Sequence, residues 1–243
     1  MFNYKLVIRY IGTNYHGWQR QKNQISIQET IEKKLEHLFK EKIRLIASGR
    51  TDAGVHALGQ VANFKVKKHR KTNEILKYLN STLPRDISIL SVEEVPLAFN
   101  SRFNAKGKMY LYKIHQFPDP FLYNLSWYVP YLLDFKKLEE ALFLIKNTKN
   151  LLSMAKKSEY LREDVEIREI NLHFDGKHFE IELVASHFLR YMVRKIIGHA
   201  VKVAANNITI DQLKEILEKS DPSAGKFLAP PEGLYLKEVY YWF

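Results

Sequence analysis

Cysteine is absent from the 243 residues of the chain. That absence excludes a disulfide scaffold, a zinc site with cysteine ligands and a thiol nucleophile, and it fits a reducing compartment. A long apolar run is lacking too, since no segment approaches the length of a membrane-spanning helix. Residues 1–12 alternate instead of forming the apolar core of a signal peptide. We therefore expect a cytoplasmic protein without a membrane segment.

Motifs for a metal or a cofactor are also missing. His16, His56, His187 and His199 show neither the HxxxH nor the HExxH spacing. Scattered structural histidines are the better interpretation, because zinc sites need ligands at regular spacing. The sequence also lacks a glycine-rich phosphate loop and a nucleotide fingerprint. We predict that the protein uses no cofactor and no catalytic metal.

Positive charge is what the chain has in excess. Lysine and arginine total 38 against 27 acidic residues, which gives a net charge of +11. Such a surplus favours a polyanionic partner, because each cation that meets a phosphate releases a condensed counterion. A lysine-rich solvated surface explains the same number, and composition alone leaves both interpretations open. The hydrophobic fraction of 46% and the aromatic fraction of 13% are typical of a globular protein.

Periodicity in the first hundred residues predicts the order β-α-β-β-α-β. Leu6, Ile8 and Tyr10 alternate along a first strand. The run at 26–29, Ser-Ile-Gln-Glu, is a capping box at the start of a helix. The remaining predicted elements are strands at 43–47, 61–66 and 87–95 and a helix that starts near Thr72 and stops before Pro84.

The remainder of the chain repeats this order. Asp175-Gly176 is a two-residue hairpin signal between alternating runs. The predicted elements are strands at 109–114, 166–174, 178–185 and 234–242 and helices at 135–147, 188–204 and 209–219. The favoured architecture is α/β (α+β), with two pseudo-symmetric split β-α-β-β-α-β units that have antiparallel sheets. We assign the halves to residues 1–104 and 105–243, and we interpret the polar stretch 148–164 as a surface excursion.

Asp52 is the first candidate for chemistry. It lies between two glycines in the loop at 49–56, with Arg50 two residues before it. Glycine lets the backbone approach a substrate, and a nearby arginine keeps a carboxylate ionised, as a nucleophile or base requires. An Asx-turn is the ordinary interpretation of an isolated aspartate in such a loop. The string GRTDAGVHALGQVANF is longer and more polar than a turn requires, so function is favoured.

This string also carries a resemblance to a known family. The other matching runs are YIGTNYHGWQRQ at 10–21, LNSTLPRDISILSVEEVPLAFNSRF at 79–103, KGKMYLYKI at 106–114, FLRYMVRKIIG at 188–198 and LAPPEGLYLKEV at 228–239. Together they closely resemble the bacterial tRNA pseudouridine(38–40) synthase family, known as the TruA family, over nearly the whole chain. The resemblance implies two related α/β halves that meet at a central catalytic cleft. It also implies isomerisation of uridine to pseudouridine at positions 38, 39 and 40 of the tRNA anticodon stem-loop.

The resemblance assigns roles in the first half. Asp52 matches the catalytic aspartate, and Arg50 matches the arginine that helps displace the target nucleotide from the stem. Arg102, in a family-like run, is expected to line the cleft. The carboxylate has three available roles, namely attack on C1′, attack on C6, or action as a base on the ribose, and the sequence does not choose among them.

In the second half the resemblance assigns three more residues. Tyr110 matches the tyrosine that packs on the target uracil, Arg194 the arginine that pairs with the catalytic carboxylate, and Leu234 the apolar wall of the uracil pocket. Taken alone, Tyr110 alternates with Tyr112 as a core aromatic does. An arginine on an apolar helix either snorkels to solvent or points inward to an anion. Asp52 is the obvious anion.

The expected partners are tRNA and, by resemblance only, a second copy of the chain in a homodimer. Basic residues expected to contact the RNA are Arg20, Lys22, those at 65–71, Lys106, Lys108, Arg190 and Lys195. Two rivals remain open: a non-catalytic RNA-binding module on the same fold, and an enzyme with the same chemistry and a different RNA target. The chain departs from the family pattern at 147–157, which lacks the usual His-Asp-Phe run, and at Asn100 and His199, where His and Thr are common. The first departure bears on how the RNA stem is gripped.

Overall fold

The computed structural model describes residues 1–157 and 165–242, and it has the predicted α/β fold. The chain divides into two compact units. One comprises Met1–Lys106 and the C-terminal segment from Tyr235, and the other comprises Gly107–Leu234. The halves predicted from the sequence, 1–104 and 105–243, differ from these units in the C-terminal segment, which pairs with a strand of the first unit.

The first unit follows the order β-α-β-β-α-β. Its elements are β1 (Phe2–Tyr10), α1 (Ile27–Phe39), β2 (Ile46–Ala47), β3 (His56–Val66), α2 (Thr72–Thr82) and β4 (Ile87–Val95). β1 lies between β3 and β4 and is antiparallel to both, while β2 is antiparallel to β3. These three pairings are antiparallel, as alternation predicts, but the prediction of a wholly antiparallel sheet is wrong, because the C-terminal segment of this unit pairs in parallel with β3.

Helix α1 begins where its capping residue predicts. Ser26 has an extended backbone, and its hydroxyl accepts the N–H of Glu29. Ile31 and Leu35 on its apolar face are fully buried, as is the sheet residue Leu6. Burial of each such side chain contributes about 2 kcal/mol. The capping residue and the helical spacing thus define the element and the face that it buries.

Strand β2 is shorter than the predicted range of 43–47. Ile43 and Leu45 are buried, but their backbone N–H groups do not join the sheet. They donate instead to the carboxylates of Glu36 and Glu32 on α1, over 3.3 and 2.9 Å. Apolar alternation predicted the burial correctly, but side-chain acceptors took the place of the strand partner.

The second unit contains strands and three α-helices among its described residues. Its elements are β5 (Gly107–His115), β6 (Trp127–Tyr128), α3 (Phe135–Lys146), β7 (Ile167–Phe174), β8 (His178–Ala185), α4 (Met192–Ala204) and α5 (Ile210–Glu218). β8 pairs antiparallel with β5 and β7, and β6 pairs parallel with β5. The final strand, β9 (Leu234–Tyr240), pairs parallel with β3 at His56 and Ala57.

Two predictions for the second unit are corrected. The stretch at 148–164 is not a surface excursion in its described part, because Leu151, Met154 and Ala155 are buried; residues 158–164 lie outside the described residues. The helix predicted from residue 188 begins at Met192, because Tyr191 has a φ of 64° that no α-helix accommodates. None of the described helices is long and apolar enough to cross a membrane.

Candidate active-site residues

The loop at residues 49–56 connects β2 to β3 and carries two kinds of side chain. Thr51 and Val55 are buried and fasten the loop to the first unit. Arg50 is exposed and Asp52 is half-buried, so these two reach the surface of the loop. Of the polar residues that the sequence singles out, Thr51 therefore holds the loop in place, whereas Arg50 and Asp52 are accessible at its surface.

The end of β1 and the segment that follows it, residues 10–18, support this loop. We call these residues the seat of the loop. Trp18 donates its backbone N–H to the carbonyl of Thr51 over 3.1 Å, and Gly54 donates to the carbonyl of Tyr15 over 3.3 Å. The hydroxyl groups of Tyr10 and Thr51 lie 2.8 Å apart. Burial raises the pKa of the Tyr10 phenol, which stays neutral and able to donate. Two motifs that are distant in the sequence thus form one structural unit.

Close approach explains two glycines of the seat. A Cβ on Gly12 would lie 2.0 Å from the carbonyl oxygen of Val55, and a Cβ on Gly17 would lie 2.5 Å from that of Thr51. Gly17 also has a φ of +84°, which larger residues rarely adopt. Any side chain at either position would push the loop away from its seat.

The beginning of the loop is held by two buried polar side chains. Ser48 donates its hydroxyl to Gln60 Oε1 over 2.8 Å, and Gln60 Nε2 donates to the carbonyl of Gly49 over 3.0 Å. Sequence reasoning gave neither residue a role, since no periodicity reveals such a pairing. The backbone is therefore hydrogen-bonded on both sides of Asp52. These bonds fix the position of the Asp52 backbone, from which the carboxylate extends.

His56 supports the loop as well. It is fully buried, and its Nδ1 accepts the backbone N–H of Gly12 over 3.0 Å. Its ring packs against that of Tyr235, with centroids 4.7 Å apart. A nitrogen that accepts this bond carries no proton, so the neutral imidazole is favoured. The histidine of the motif thus has a structural role in the first unit.

Arg102 is anchored separately from the Asp52 loop. Its neighbour Ser101 donates its backbone N–H to Asn63 Oδ1 over 2.8 Å. Asn63 lies along β3 roughly 23 Å from the end at which the loop joins the strand. The guanidinium of Arg102 is exposed and lies 5.7 Å from the ring centroid of Phe103, which is 78% exposed.

Tyr110 and Tyr112 lie on β5 of the second unit. Tyr112 is fully buried, and its hydroxyl donates to the carbonyl of Pro230 over 2.8 Å, which confirms it as a core residue. Tyr110 is 8% exposed. Its ring meets that of Phe188 edge to face, with centroids 5.0 Å apart. Such packing limits the orientations of the Tyr110 ring and gives it a fixed flat face.

Arg194 lies on α4 and is half-buried. Its Nε donates to the carbonyl of Ala229 over 2.7 Å, and its own carbonyl accepts the N–H of Ala229 over 3.0 Å. Leu234, a few residues further along, is 5% exposed. A Cβ on Gly233 would lie 2.6 Å from the Tyr112 ring. The segment before β9 therefore packs on both α4 and β5 and places Leu234 within this unit.

One of the basic residues assigned to the RNA surface is buried instead. Lys195 is 8% exposed, and its Nζ donates to the carbonyls of Ala155 and Pro222 over 2.5 and 2.8 Å. Burial lowers the pKa of its ammonium. The assignment of Lys195 to the RNA surface was therefore wrong, because the ammonium binds backbone carbonyls inside the second unit.

Only part of the basic run at 65–71 is available to contact RNA. The guanidinium of Arg70 donates to the carbonyl of Leu38, and His69 Nε2 lies 3.2 Å from a Glu94 carboxylate oxygen. Lys65 and Lys68 remain exposed. In the described parts of the chain, no group of histidine, aspartate and glutamate side chains is arranged to hold a metal ion.

Comparisons with known proteins agree with the sequence motifs. A family described as tRNA pseudouridine synthase matches residues 6–104 and 148–242. A protein named tRNA pseudouridine synthase A from Aquifex aeolicus is 39% identical over 98% of this chain and 99% of its own length. One of the same name from Acetivibrio thermocellus is also 39% identical, over 99% of this chain and 100% of its own length.

The comparison with solved structures adds nothing to this. A protein of unknown function from Galdieria sulphuraria matches 85% of this chain and 93% of its own, at 12% identity and a TM-score of 0.21. A superposition that poor carries no weight for fold or activity.

Proposed function

Because the chain belongs to the tRNA pseudouridine synthase family, we propose that it isomerises uridine to pseudouridine at positions 38, 39 and 40 of the tRNA anticodon stem-loop, with Asp52 as the catalytic group. The observation that carries this proposal is the seating of the Asp52 loop. Buried side chains and backbone hydrogen bonds hold the loop on both sides of the aspartate. Preorganisation of this kind is expected of a catalytic group and is not needed in a simple turn.

The reaction conserves every atom of the substrate. The N1–C1′ bond of uridine breaks, the uracil turns, and a C5–C1′ bond forms, while the proton on C5 is lost and N1 gains one. Nothing is oxidised or hydrolysed, so the chemistry requires neither redox cofactor nor water. The Asp52 carboxylate acts at C1′, at C6 or as a base on the ribose, and each role is within the chemistry of an ionised carboxylate.

A uridine in a helical stem must leave its stack before it can react. We assign this step to Arg50, whose exposed side chain stands two residues before Asp52 on the same loop. A guanidinium can contact phosphates and occupy the space that the base has left. Arg102, also exposed, is assigned a backbone contact further along the RNA.

The uracil must also be retained while it is detached. We assign that role to the flat face of Tyr110, which Phe188 holds in place, and to the apolar side chain of Leu234. Excluding water protects the intermediate from hydrolysis. Arg194 is assigned to the catalytic carboxylate, because a charge-assisted pair would keep that group ionised and oriented.

The test is the substitution Asp52→Asn. Purified protein incubated with an unmodified tRNA transcript should form no pseudouridine, while its affinity for the transcript stays within about threefold, since the change removes reactivity and little shape. Asp175→Asn is the matched control. Asp175 makes only local hairpin contacts, so this variant should retain activity. Pseudouridine formed by the Asp52→Asn protein would overturn the assignment.

The two rivals are tested with the wild-type protein. A non-catalytic RNA-binding module would bind the transcript and form no pseudouridine. An enzyme with another target would modify a different site, which mapping of a tRNA mixture shows directly. We also propose that the protein is cytoplasmic, where tRNA is its partner, and that it acts as a homodimer, which sedimentation of the purified chain tests.

A further inference from the structure

Tyr191 has an unusual backbone conformation directly before α4. Its φ is 64° and its ψ is 0°, in the left-handed region. That region is an outlier for a bulky side chain and costs about 1–2 kcal/mol. Strain of this size persists where the surrounding structure over-determines it, and it concentrates at functional sites. The start of a helix alone therefore does not explain the conformation of Tyr191.

Three cations surround the ring of this tyrosine. Lys156 Nζ lies 5.1 Å from the ring centroid, and the guanidinium carbons of Arg190 and Arg194 lie 5.1 and 5.4 Å from it. Each distance is within the range of a cation–π interaction. All of these residues belong to the second unit. One ring thus collects three positive charges.

The electrostatic repulsion among the cations around the Tyr191 ring indicates which kind of ligand they can bind. Charges that share one ring are at most about 11 Å apart, a distance comparable to the Debye length of about 8–10 Å, so part of their mutual repulsion survives screening by salt. Cation–π attraction offsets part of that repulsion. The positive end of the α4 dipole adds to the same potential. An anion placed among the exposed cations relieves the repulsion.

The position of Lys156 is built into the fold. Its backbone N–H donates to the carbonyl of Arg190 over 2.9 Å. The residue before it, Ala155, accepts a hydrogen bond from the buried Lys195 ammonium over 2.5 Å. Lys195 therefore holds the segment before Lys156 against α4. This segment is also the one that departs from the family pattern in the sequence.

We propose that Lys156 and Arg190, held around the Tyr191 ring, form a binding site for a phosphodiester of the RNA backbone. This inference deepens the proposed function, because it rests on tRNA as the substrate. Lys156 and Arg190 are both exposed, so they contact the phosphate. Tyr191 is a positioning residue, since it acts by holding the cations together. Arg194 keeps its separate assignment to the catalytic carboxylate.

The first experiment measures the affinity of the full chain for an unmodified tRNA transcript at several KCl concentrations. Lys156→Gln and Arg190→Gln should each weaken binding about fivefold. Each should also reduce the slope of log Kd against log[KCl] by about 0.7–0.9, the value for one lost phosphate contact. Lys156→Arg should restore both.

Lys157→Gln is the matched control, because it removes the same charge from an exposed lysine one residue away. Its slope should equal that of the wild type. Tyr191→Phe keeps the ring and should bind normally, whereas Tyr191→Leu should weaken binding without any change in net charge. A common slope for the wild-type, Lys156→Gln and Lys157→Gln proteins would overturn the proposal.

The two proposals fail in different measurements. A wild-type chain that binds the transcript with the expected slopes but forms no pseudouridine contradicts the proposed function. A chain that forms pseudouridine, but whose Lys156→Gln and Arg190→Gln variants keep the wild-type slope, contradicts the phosphodiester site. Thermal unfolding of each variant shows whether a change in binding comes from lost structure, and the exposed positions of both cations predict unchanged unfolding temperatures.

Discussion

Two glycines with positive φ differ in what surrounds them. Gly17 has a φ of +84° and lies against the carbonyl of Thr51, whereas Gly176 has a φ of +92° and nothing within 4 Å of an added Cβ. We expect Gly17→Ala to displace the Asp52 loop and lower kcat at least about tenfold. Gly176→Ala should cost only the φ penalty of about 1 kcal/mol and leave kcat unchanged. Steady-state kinetics and urea unfolding of both variants check this.

The comparison separates strain from displacement. Both alanine variants carry the same backbone penalty, so any extra loss in Gly17→Ala comes from the contact with the Thr51 carbonyl. Equal kcat values for the two variants would show that the contact between Gly17 and Thr51 does not determine the position of the Asp52 loop.

His199 should make the protein sensitive to acid. Burial lowers the pKa of this fully buried imidazole below its ordinary value of 6.5. As the pH falls below 6.5, the unfolded chain binds a proton that the folded chain does not, so stability is lost. His199→Thr removes that proton-linked loss. Urea midpoints at about pH 7.5 and about pH 5.5 should therefore differ less in the variant than in the wild type.

The test compares the change in urea midpoint between the two pH values and does not depend on the absolute midpoint of either protein. A threonine fills less space than an imidazole, so the variant is expected to be less stable at both values. His115, whose pKa burial also lowers, contributes equally in both proteins and cancels. An identical pH difference in the variant and the wild type would show that His199 is not responsible.

At the scale of elements, local chemistry was predictable. Thr209 and Gln212 form a capping box at the start of α5, where the sequence predicts a helix. Asp175 accepts the N–H groups of Lys177 and His178 in the predicted hairpin. Each of these signals depends on residues within a few positions of one another. The burial of 151–155 was not predictable, because short apolar runs among polar residues show no period, and it is tertiary packing against α4 and α5 that covers them.

Lys195 illustrates why the sequence does not predict the burial of residues 151–155. A lysine on an apolar helix face normally extends to solvent. Here its ammonium satisfies carbonyls of two separate segments, a role that only tertiary structure reveals. Lys195→Met keeps the length and removes the donor, so the carbonyls of Ala155 and Pro222 lose their partner. We expect a loss of about 2–3 kcal/mol in the free energy of unfolding, measured by urea denaturation.

Lys214→Met is the control for this prediction, because Lys214 is exposed on α5 and should tolerate the change within about 0.5 kcal/mol. Amide exchange should also become faster at Met154 and Ala155 in the Lys195 variant only. If the two methionine variants have the same urea midpoint, the ammonium contributes nothing net, and its desolvation cancels its hydrogen bonds.

At the scale of the molecule, the sequence singled out the Asp52 loop as a candidate but did not reveal the contacts that support it. The motif around Asp52 was recognisable as a string, and its polar residues indicated function. The contacts that hold it, between Thr51 and Trp18 or between His56 and Gly12, join residues that lie far apart in the chain. The partner of β3 at the far end of the chain was equally hidden, since a strand pattern does not name its neighbour.

The C-terminal segment completes the first unit, and its removal should show this. A stop codon at Tyr235 removes β9, the ring that packs on His56, and the Tyr241 hydroxyl that donates to the carbonyl of Ser101 over 2.9 Å. Loss of the buried Tyr235 and Leu236 alone should cost several kcal/mol, at ~2–3 kcal/mol for each side chain. We expect the first unit to unfold at much lower urea than in the full chain.

The control is a stop codon at Trp242, which keeps β9 and Tyr241 and removes a side chain that is 75% exposed. Both shortened chains lack Trp242, so their fluorescence reports only Trp18 in the first unit and Trp127 in the second. In the chain ending at Leu234, Trp18 should become solvated early in the titration, and amides near His56 should exchange faster. Coincident unfolding curves for the two chains would show that β9 adds no stability to the unit that carries Asp52.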